Sequence, residues 1–593
     1  MWNKSKRIYQ LGLKKSAVIG IHRMQQWLFA TYWRKRIGSY HQKEIPCAKM
    51  RTLLFVNALC PELDHTSCIT SADEITAGYL SLLGAQKKIY PCLPWHTDIR
   101  LAGENPKADA SFESSVFYRD ITIAAGQHEM QLGKDIKVPW ELSRSQQLPI
   151  LGHAYMLTKN ERYAKKIVEW VCDWQNSNSF LCGVNWCNPM EVGLRAINWI
   201  VAVSMIAESS TITQDFLRKI TSSLYEHLLF IEGNWEWYDG KTSNHYLSDL
   251  VGYLYLSWFL GYRKKFLWAV AALEQEMRKQ VLSDGGDYEG STRYHRLVTE
   301  LFAYAQQLVE QERAPLSAVY VEKHIQMDDF LWWNTPYNGT LVTVGDDDSG
   351  CVLPFAYAGR KKGDDAVVSF FFQDFGLSVY KTKKAHVTLR HYAVTAEQPT
   401  GHFHNDIGSI TLAVNGVPLI VDPGSYVYTP SVQWRNYFRS ARVHNTAYVQ
   451  GEEPIALTSH LFNLAMPSRI NTDSIFSMHH ALYYEGAVSF KRTLTCSDVA
   501  LIINDEWLVP LESSQQTLVW NFTLHPEIEV QQNDAVITFM HKDTALATIQ
   551  SDQLSFEVEP AFVALQYGEK KASKCIRAYA PFATMKVVIT ILL

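Results

Sequence analysis

Residues 401–421 read "GHFHNDIGSITLAVNGVPLIV". Two histidines, an asparagine and an aspartate fall within five positions, His402 to Asp406, ahead of the short apolar segments "SITLAV" and "VPLIV". These segments are rich in β-branched residues and are separated by turn residues, which is the pattern of strands. If the strand starts at the histidines, their spacing of two places both side chains on one face. A strand that opens with so many groups that are costly to bury marks a metal site, an acid/base site or a wet turn.

Working outward, the same pattern fills the chain beyond about residue 360. "VVSFFFQ", "LSVYKT", "HVTLRHYAV", "TAYVQ", "LIINDEWLV", "QTLVWNFTL", "AVITFMH", "LSFEVEP" and "MKVVITILL" are short, β-branched or aromatic, and punctuated by turns. That spacing predicts a large antiparallel β-sandwich. From about 110 to 325 the period is helical instead. "MEVGLRAINWIVAVSMIA" (190–207), "YLSDLVGYLYLSWFLG" (246–261), "FLWAVAALEQEMRKQVL" (266–282) and "RLVTELFAYAQQLVEQ" (296–311) repeat apolar residues at i, i+3, i+4 and i+7. They predict stacked antiparallel helical hairpins. The Gly- and Asp-rich stretch 343–365 reads as the junction. The expected divisions are a basic helical region over 1–105, a helical catalytic domain over 106–360 and a β-sandwich over 361–593.

Composition sets outer bounds. At 593 residues the chain exceeds one compact core. With 47% hydrophobic and 20% charged residues and a net charge of -4, it has no basic field for nucleic acid. No apolar run is long enough to span a membrane. Eighteen Trp and thirty Tyr serve core packing and also supply the aromatic faces a sugar-binding cleft needs. Ten cysteines are scattered without a tight framework and read mostly as small buried hydrophobes, and no second pair answers Cys182 and Cys187 to make a zinc site. The first 36 residues carry nine Lys/Arg and no acid, with Trp2, Trp27, Phe29, Tyr32 and Trp33 interleaved. They read as a solvated helical face or as a segment in peripheral contact with an anionic surface. No secretory signal is recognised there, which favours a cytoplasmic location. The oligomeric state is left open.

Four stretches concentrate polar side chains. "NWCNPMEVGLRAINW" (185–199) spaces Glu191 and Arg195 as an i, i+4 ion pair. "TSNHYLSDL" (242–250) sets Asn244 and His245 at the mouth of an apolar helix, where a polar residue also serves as a cap. "DGGDYEGSTRYHRLVTE" (284–300) brings Tyr288, Glu289, Arg293, Tyr294, His295 and Arg296 to another helix entry. The fourth is the opening stretch, continued by "VDPGSY" (421–426) and "WRNYFRSARVHNTAYV" (434–449). His404, Asp422 and His444 form a plausible two-histidine, one-carboxylate site for Zn²⁺ with an open position.

Six of these motifs, in order, resemble the heparinase II/III-like polysaccharide lyases, a group that includes heparinase III and some alginate lyases: "NPMEVGLRAINW", "SNHYLSD", "DGGDYEGSTRYH", "GHFHNDIGS", "VDPGSYVY" and "RVHNTAYV". The resemblance implies an incomplete (α/α) toroid followed by an antiparallel β-sandwich, a multidomain α+β fold, and cleavage of a uronic-acid polysaccharide by β-elimination. It implies Asn244 as the group that neutralises the substrate carboxylate, Tyr294 as the acid and potential base, and His402 as a base or second carboxylate contact, with His245 in reserve. It implies a structural rather than catalytic divalent metal, Zn²⁺ by ligand type, on His404, Asp422 and His444. Arg293, His295 and Arg296 are expected to lower the Tyr294 pKa. Glu191, Arg195, Tyr288, Arg293, Arg435 and Arg439 are expected to contact an acidic polysaccharide, from a cell surface or exopolysaccharide. Two other readings stay open: a binding or assembly protein on the same scaffold, and a metal-dependent hydrolase or oxygenase.

Overall fold

A computed structural model describes residues 13–593 apart from 46–49, 60–64, 123–131, 238–241, 358, 360–367, 392–400, 458–460, 463–469, 475, 484–487 and 510–512. Lys4, Lys6, Arg7 and Trp2 of the basic segment, Cys47, Cys60 and part of the Gly/Asp-rich junction lie outside the described residues.

The helical periods become helices Pro189–Met205, Asn244–Phe259, Arg263–Gln280 and Thr292–Gln311, joined by Gln147–Thr158, Glu161–Ser177, Gln214–Asn234 and Ala318–Trp333. Their first turns are set locally. Asn188, Ser243 and Ser291 accept hydrogen bonds from backbone N–H groups at the starts of their helices, and Pro189 follows its cap where a missing N–H costs nothing. Pro189–Met205 is buried along its whole length, so it forms the middle of the helical layer. It touches Asn244–Phe259 backbone to backbone: a Cβ on Gly252 would sit 2.4 Å from the Gly193 Cα. One continuous core, from Leu53 to Phe355, unites these helices.

Apart from a short antiparallel pair, Tyr79–Leu80 with Lys88–Ile89, the described strands follow Ser369. Ser369–Phe372, Leu377–Lys381, Ala385–Arg390, Ile410–Val414 and Val417–Ile420 form a sequential antiparallel meander, with Val387 opposite Leu412 and Leu389 opposite Ile410. An eight-stranded sheet holds Val488–Cys496, Ala500–Leu508 and Met585–Leu592 at its centre. A four-stranded sheet contains Ala447–Val449, Ser513–Thr523, Phe556–Gln566 and Glu569–Phe582. Val488, Phe490, Arg492 and Leu494 are buried in one strand and Leu501, Ile503, Asp505 and Trp507 in the next, the period-2 signature of a strand with one face on a core. Leu412, Ile503, Phe522, Ile576 and Ile589 from all three sheets meet in that core. The chain is thus a helical toroid followed by an antiparallel β-sandwich.

The opening stretch itself departs from expectation. Residues 401–409 are irregular, and the strand starts only at Ile410. The loop is pinned where the two layers meet. Gly345 has φ +75°, and a Cβ there would lie 2.7 Å from the His402 carbonyl oxygen. A side chain at 345 would push His402 out of place.

Candidate active site

Asn244 and Tyr294 each occupy the first turn of a helix, at positions that aim their side chains out of the helical layer. Between those helix mouths and the 401–462 loops lies a cleft of about 430 Å³. Asn244, His245, Tyr288, Glu289, Tyr294, His402 and Tyr428 all line it.

The Tyr294 ring stacks on the His402 imidazole, centroids 3.5 Å apart and planes 16° from parallel. Its hydroxyl lies 3.3 Å from that of Tyr428. Both nitrogens of His402 face carboxylates: Nδ1 is 3.0 Å from Asp346 Oδ2, and Nε2 is 3.1 Å from Glu289 Oε2. Two acceptors require two donors, so this imidazole is held as the cation. Burial alone would lower its pKa, but those two hydrogen bonds outweigh it and bring the value to about 9. Glu289 also accepts from the Asn244 backbone N–H and, at 2.7 Å, from one hydrogen of its amide. The second amide hydrogen remains for a ligand. His245 Nδ1 is fixed on Glu236 at 2.9 Å, which turns Nε2 away from that carboxylate. Burial would lower the His245 pKa, yet Glu236, helped by Glu289 and Glu191, raises it above the ordinary value.

The phenol departs from the sequence expectation. Burial, reinforced by Asp348, Tyr428 and Asp346, raises the Tyr294 pKa well above 10. The three basic neighbours do not oppose this, because successive helical residues point in different directions. Arg293 turns to Thr343 and Asp347, and Arg296 to the Gly350 carbonyl and Glu300. His295 is buried against Met327 and Phe330, with a pKa that burial lowers to about 3.

Of the residues expected to contact substrate, Glu191 and Tyr288 line the cleft. The arginines do not, which corrects the expectation. Arg195 is fully buried, stacked 4.0 Å from the Trp174 ring and bonded to His227 and Ser143. Glu191 is paired instead with Arg144, at 2.6 and 2.9 Å. Arg435 is spent on Asp346, and Arg439 is buried against Asn436 and the Leu461 carbonyl. Arg293 opens onto a different cavity, beside His386 and Asp422.

His404, Asp422 and His444 do converge. Their ligating atoms all lie within 4.8 Å of one another, and all three are buried. His404 Nδ1 faces His444 Nε2 at 3.2 Å, and His444 Nδ1 is held by the Ser440 carbonyl, leaving Nε2 for the triad. Burial and the nearby Asp406 raise Asp422 well above the carboxylate range, and burial beside His404 brings His444 to about 3. Neither Asp406 carboxylate oxygen has a hydrogen bond, but the buried Arg390 lies 3.7 Å from one of them as its ion-pair partner. Two facing imidazoles and the buried Asp422 carboxylate suit a cation, so the residues fit a divalent metal. The triad does not line the cleft.

Asp346 connects the two centres. Its carboxylate receives His402 Nδ1, His404 Nε2 at 2.8 Å, Ser425 at 3.2 Å and both terminal nitrogens of Arg435. Sequence reasoning placed this residue in the interdomain junction. The available signal was "GDDDSG" (345–350), whose three aspartates are all buried.

Comparisons with known proteins agree with this architecture. Residues 106–336 match the heparinase II/III N-terminus, and residues 366–587 the heparinase II/III-like C-terminal domain. A heparin-sulfate lyase of Pedobacter heparinus is 24% identical over 362 residues, 54% of this chain and 53% of the relative. One from Bacteroides stercoris is 21% identical over 363 residues, 53% of this chain and 54% of the relative. The chain thus spans about half the length of the curated relatives it matches. Among solved structures, heparinase III superposes with a TM-score of 0.64 at 14% identity, covering 100% of this chain and 91% of the other. Heparan sulfate lyase HepC from Pedobacter heparinus gives 0.53 at 17%, covering 96% and 88%. With both of its halves matched in order and the toroid and sandwich in place, the chain belongs to the heparinase II/III family.

Proposed function

We propose that the chain is a polysaccharide lyase that cleaves an unsulfated, uronic-acid-containing polymer by β-elimination. The carrying observation is the joint placement of a cationic His402, Asn244 and the stacked Tyr294 phenol around one cleft. The substrate carboxylate takes the free Asn244 amide hydrogen and lies in the field of the His402 cation, whose own N–H groups stay on Asp346 and Glu289; together they offset the charge that develops as C5 loses its proton. Neutral His245, held through Nδ1 by Glu236, accepts that proton on Nε2. The C5–H electron pair becomes the C4–C5 double bond, the C4–O4 bond breaks, and Tyr294 gives its proton to O4. A phenol with a raised pKa suits the acid role and separates it from the base. His404, Asp422 and His444 would hold a divalent ion, Zn²⁺ by ligand type, which when bound ties the 404, 422 and 444 loops together beside the cleft.

The absence of sulfate in the proposed substrate follows from charge. Among the described residues, the cleft wall carries Asp135, Glu191, Glu236, Glu289 and Asp348 against the two permanent cations Lys137 and Arg144. Lys137 is paired with Glu141 and Asp348, and Arg144 with Glu141 and Glu191. A densely sulfated chain would meet no uncommitted guanidinium there and would be repelled. The test is an ultraviolet screen for the 4,5-unsaturated product on alginate, hyaluronan, unsulfated chondroitin and heparan sulfate. The reading expects product from an unsulfated uronan. Turnover confined to heparan sulfate would refute the charge argument, and no product from any uronan would refute the lyase.

A further inference from the structure

The helix Leu13–Arg34 is apolar on two faces. One face binds the toroid: His22 and Gln26 reach the Trp235 carbonyl at 3.2 and 3.0 Å, Phe29 lies over Gly233, and Trp33 packs edge-on to Phe180. The other face carries Val18, Ile21, Met24, Leu28 and Tyr32, spaced three or four apart and hence in one stripe, with Trp27 at its flank. All six are about half exposed or more, Trp27 reaching 61%. The stripe continues across a groove of about 280 Å³, lined by Val18, Ile21, Trp235, Trp237, Tyr246 and Trp268, onto the exposed Leu267 and Trp268. An apolar patch of this kind marks a docking surface.

Its charge identifies the occupant. The helix contains Lys14, Lys15, Arg23 and Arg34 and no acid, Lys35 and Arg36 follow it, and Arg263, Lys264 and Lys265 precede Leu267. Arg34, Arg263 and Lys265 have acidic partners in Asp120, Glu312 and Glu232, while Arg36 lies over the Tyr32 ring at 3.9 Å. In a two-fold contact between copies, this patch would meet itself and set cation against cation. Trp, Tyr, Leu, Ile and Met framed by Lys and Arg instead match the boundary between acyl chains and anionic headgroups.

We propose that this face docks the protein on an anionic lipid surface. Trp235 and Trp237 flank Glu236, and Tyr246 follows His245, so the groove and the cleft share a wall. Docking therefore holds the cleft close to the membrane. The test is co-sedimentation of the full chain with phosphatidylcholine vesicles, with or without phosphatidylglycerol, at low and physiological salt. Binding is expected only with phosphatidylglycerol, weakened by salt, and reduced about tenfold or more by the double substitution Ile21→Asp and Leu28→Asp. Both positions are exposed, so an unchanged circular dichroism spectrum and melting temperature will show that the variant folds. Failure to bind anionic vesicles at low salt would overturn the proposal. So would equal binding to neutral vesicles, or light scattering that shows a dimer abolished by the same substitutions.

Discussion

Replacing Asp346 by Asn separates the account from any view in which the junction is a passive linker. The carboxylate is fully buried and is the charged partner of a fully buried Arg435, besides receiving His402 and His404. Around it, the pKa is held well below the carboxylate range: burial would raise it, but Arg435 and the two histidines prevail. Removing one member of such a pair leaves a buried guanidinium uncompensated, at a cost of about 3–5 kcal/mol. Asn retains an acceptor for one neighbour, so the lower end of that range is expected. Against a typical reserve of roughly 5–15 kcal/mol, the variant should fold but melt well below the parent. His402 loses the partner of Nδ1 and with it the stack on Tyr294, so activity should fall about a hundredfold. The assay is thermal melting beside initial rates of unsaturated-product formation, with the double variant Asp346→Asn, Arg435→Met as companion. Removing both charges should recover much of the stability and none of the activity. An Asp346→Asn protein that melts and turns over like the parent would refute the reasoning.

Four further outcomes follow from the same geometry. Neutral His245 is the proposed base, and its pKa is raised, so activity should climb with pH through a midpoint above the ordinary histidine value; in Glu236→Gln that midpoint should move to lower pH in a pH–rate profile. Because the Tyr294 pKa is raised well above 10, the alkaline limb should not follow the phenol but should begin at about 9, where His402 loses its charge. Arg195→Met should lower the melting temperature while leaving KM for an oligosaccharide within about twofold, since Arg195 contacts Trp174 and His227 rather than the cleft. A chelator should lower the melting temperature if His404, Asp422 and His444 hold a metal, with re-addition of Zn²⁺ restoring it in a thermal-shift assay.

The change of period near residue 360 was enough to read the order of helices and strands, because a buried stripe repeats every 3.6 residues in one and every second residue in the other. The sequence also marked His402 and His404 as a crowded polar pair; in the fold one lines the cleft and the other joins the buried triad, with Asp346 bonded to both. Long-range partner choice was not legible. Glu191 and Arg195 have the spacing of a helical pair, yet the carboxylate goes to Arg144, 47 positions earlier, and the guanidinium goes to an aromatic cage. Local spacing states which side chains can meet and says nothing about a better-placed competitor from another helix. For the same reason Arg435 looked available to a polyanion until Asp346, 89 positions away, was seen to hold it. Basic neighbours of Tyr294 in sequence carry no direction, and consecutive helical residues diverge by about 100°.

The most direct measurement is single-turnover formation of the unsaturated product by the parent and by Tyr294→Phe, on the polymer that the ultraviolet screen identifies. Loss of one hydroxyl from a stacked, buried ring should leave the fold and substrate affinity in place. The rate should drop about a hundredfold to ten-thousandfold, the range for removal of a general acid. A Phe variant that releases product at the parental rate would contradict the central claim, that Tyr294 protonates the leaving oxygen beside a cationic His402.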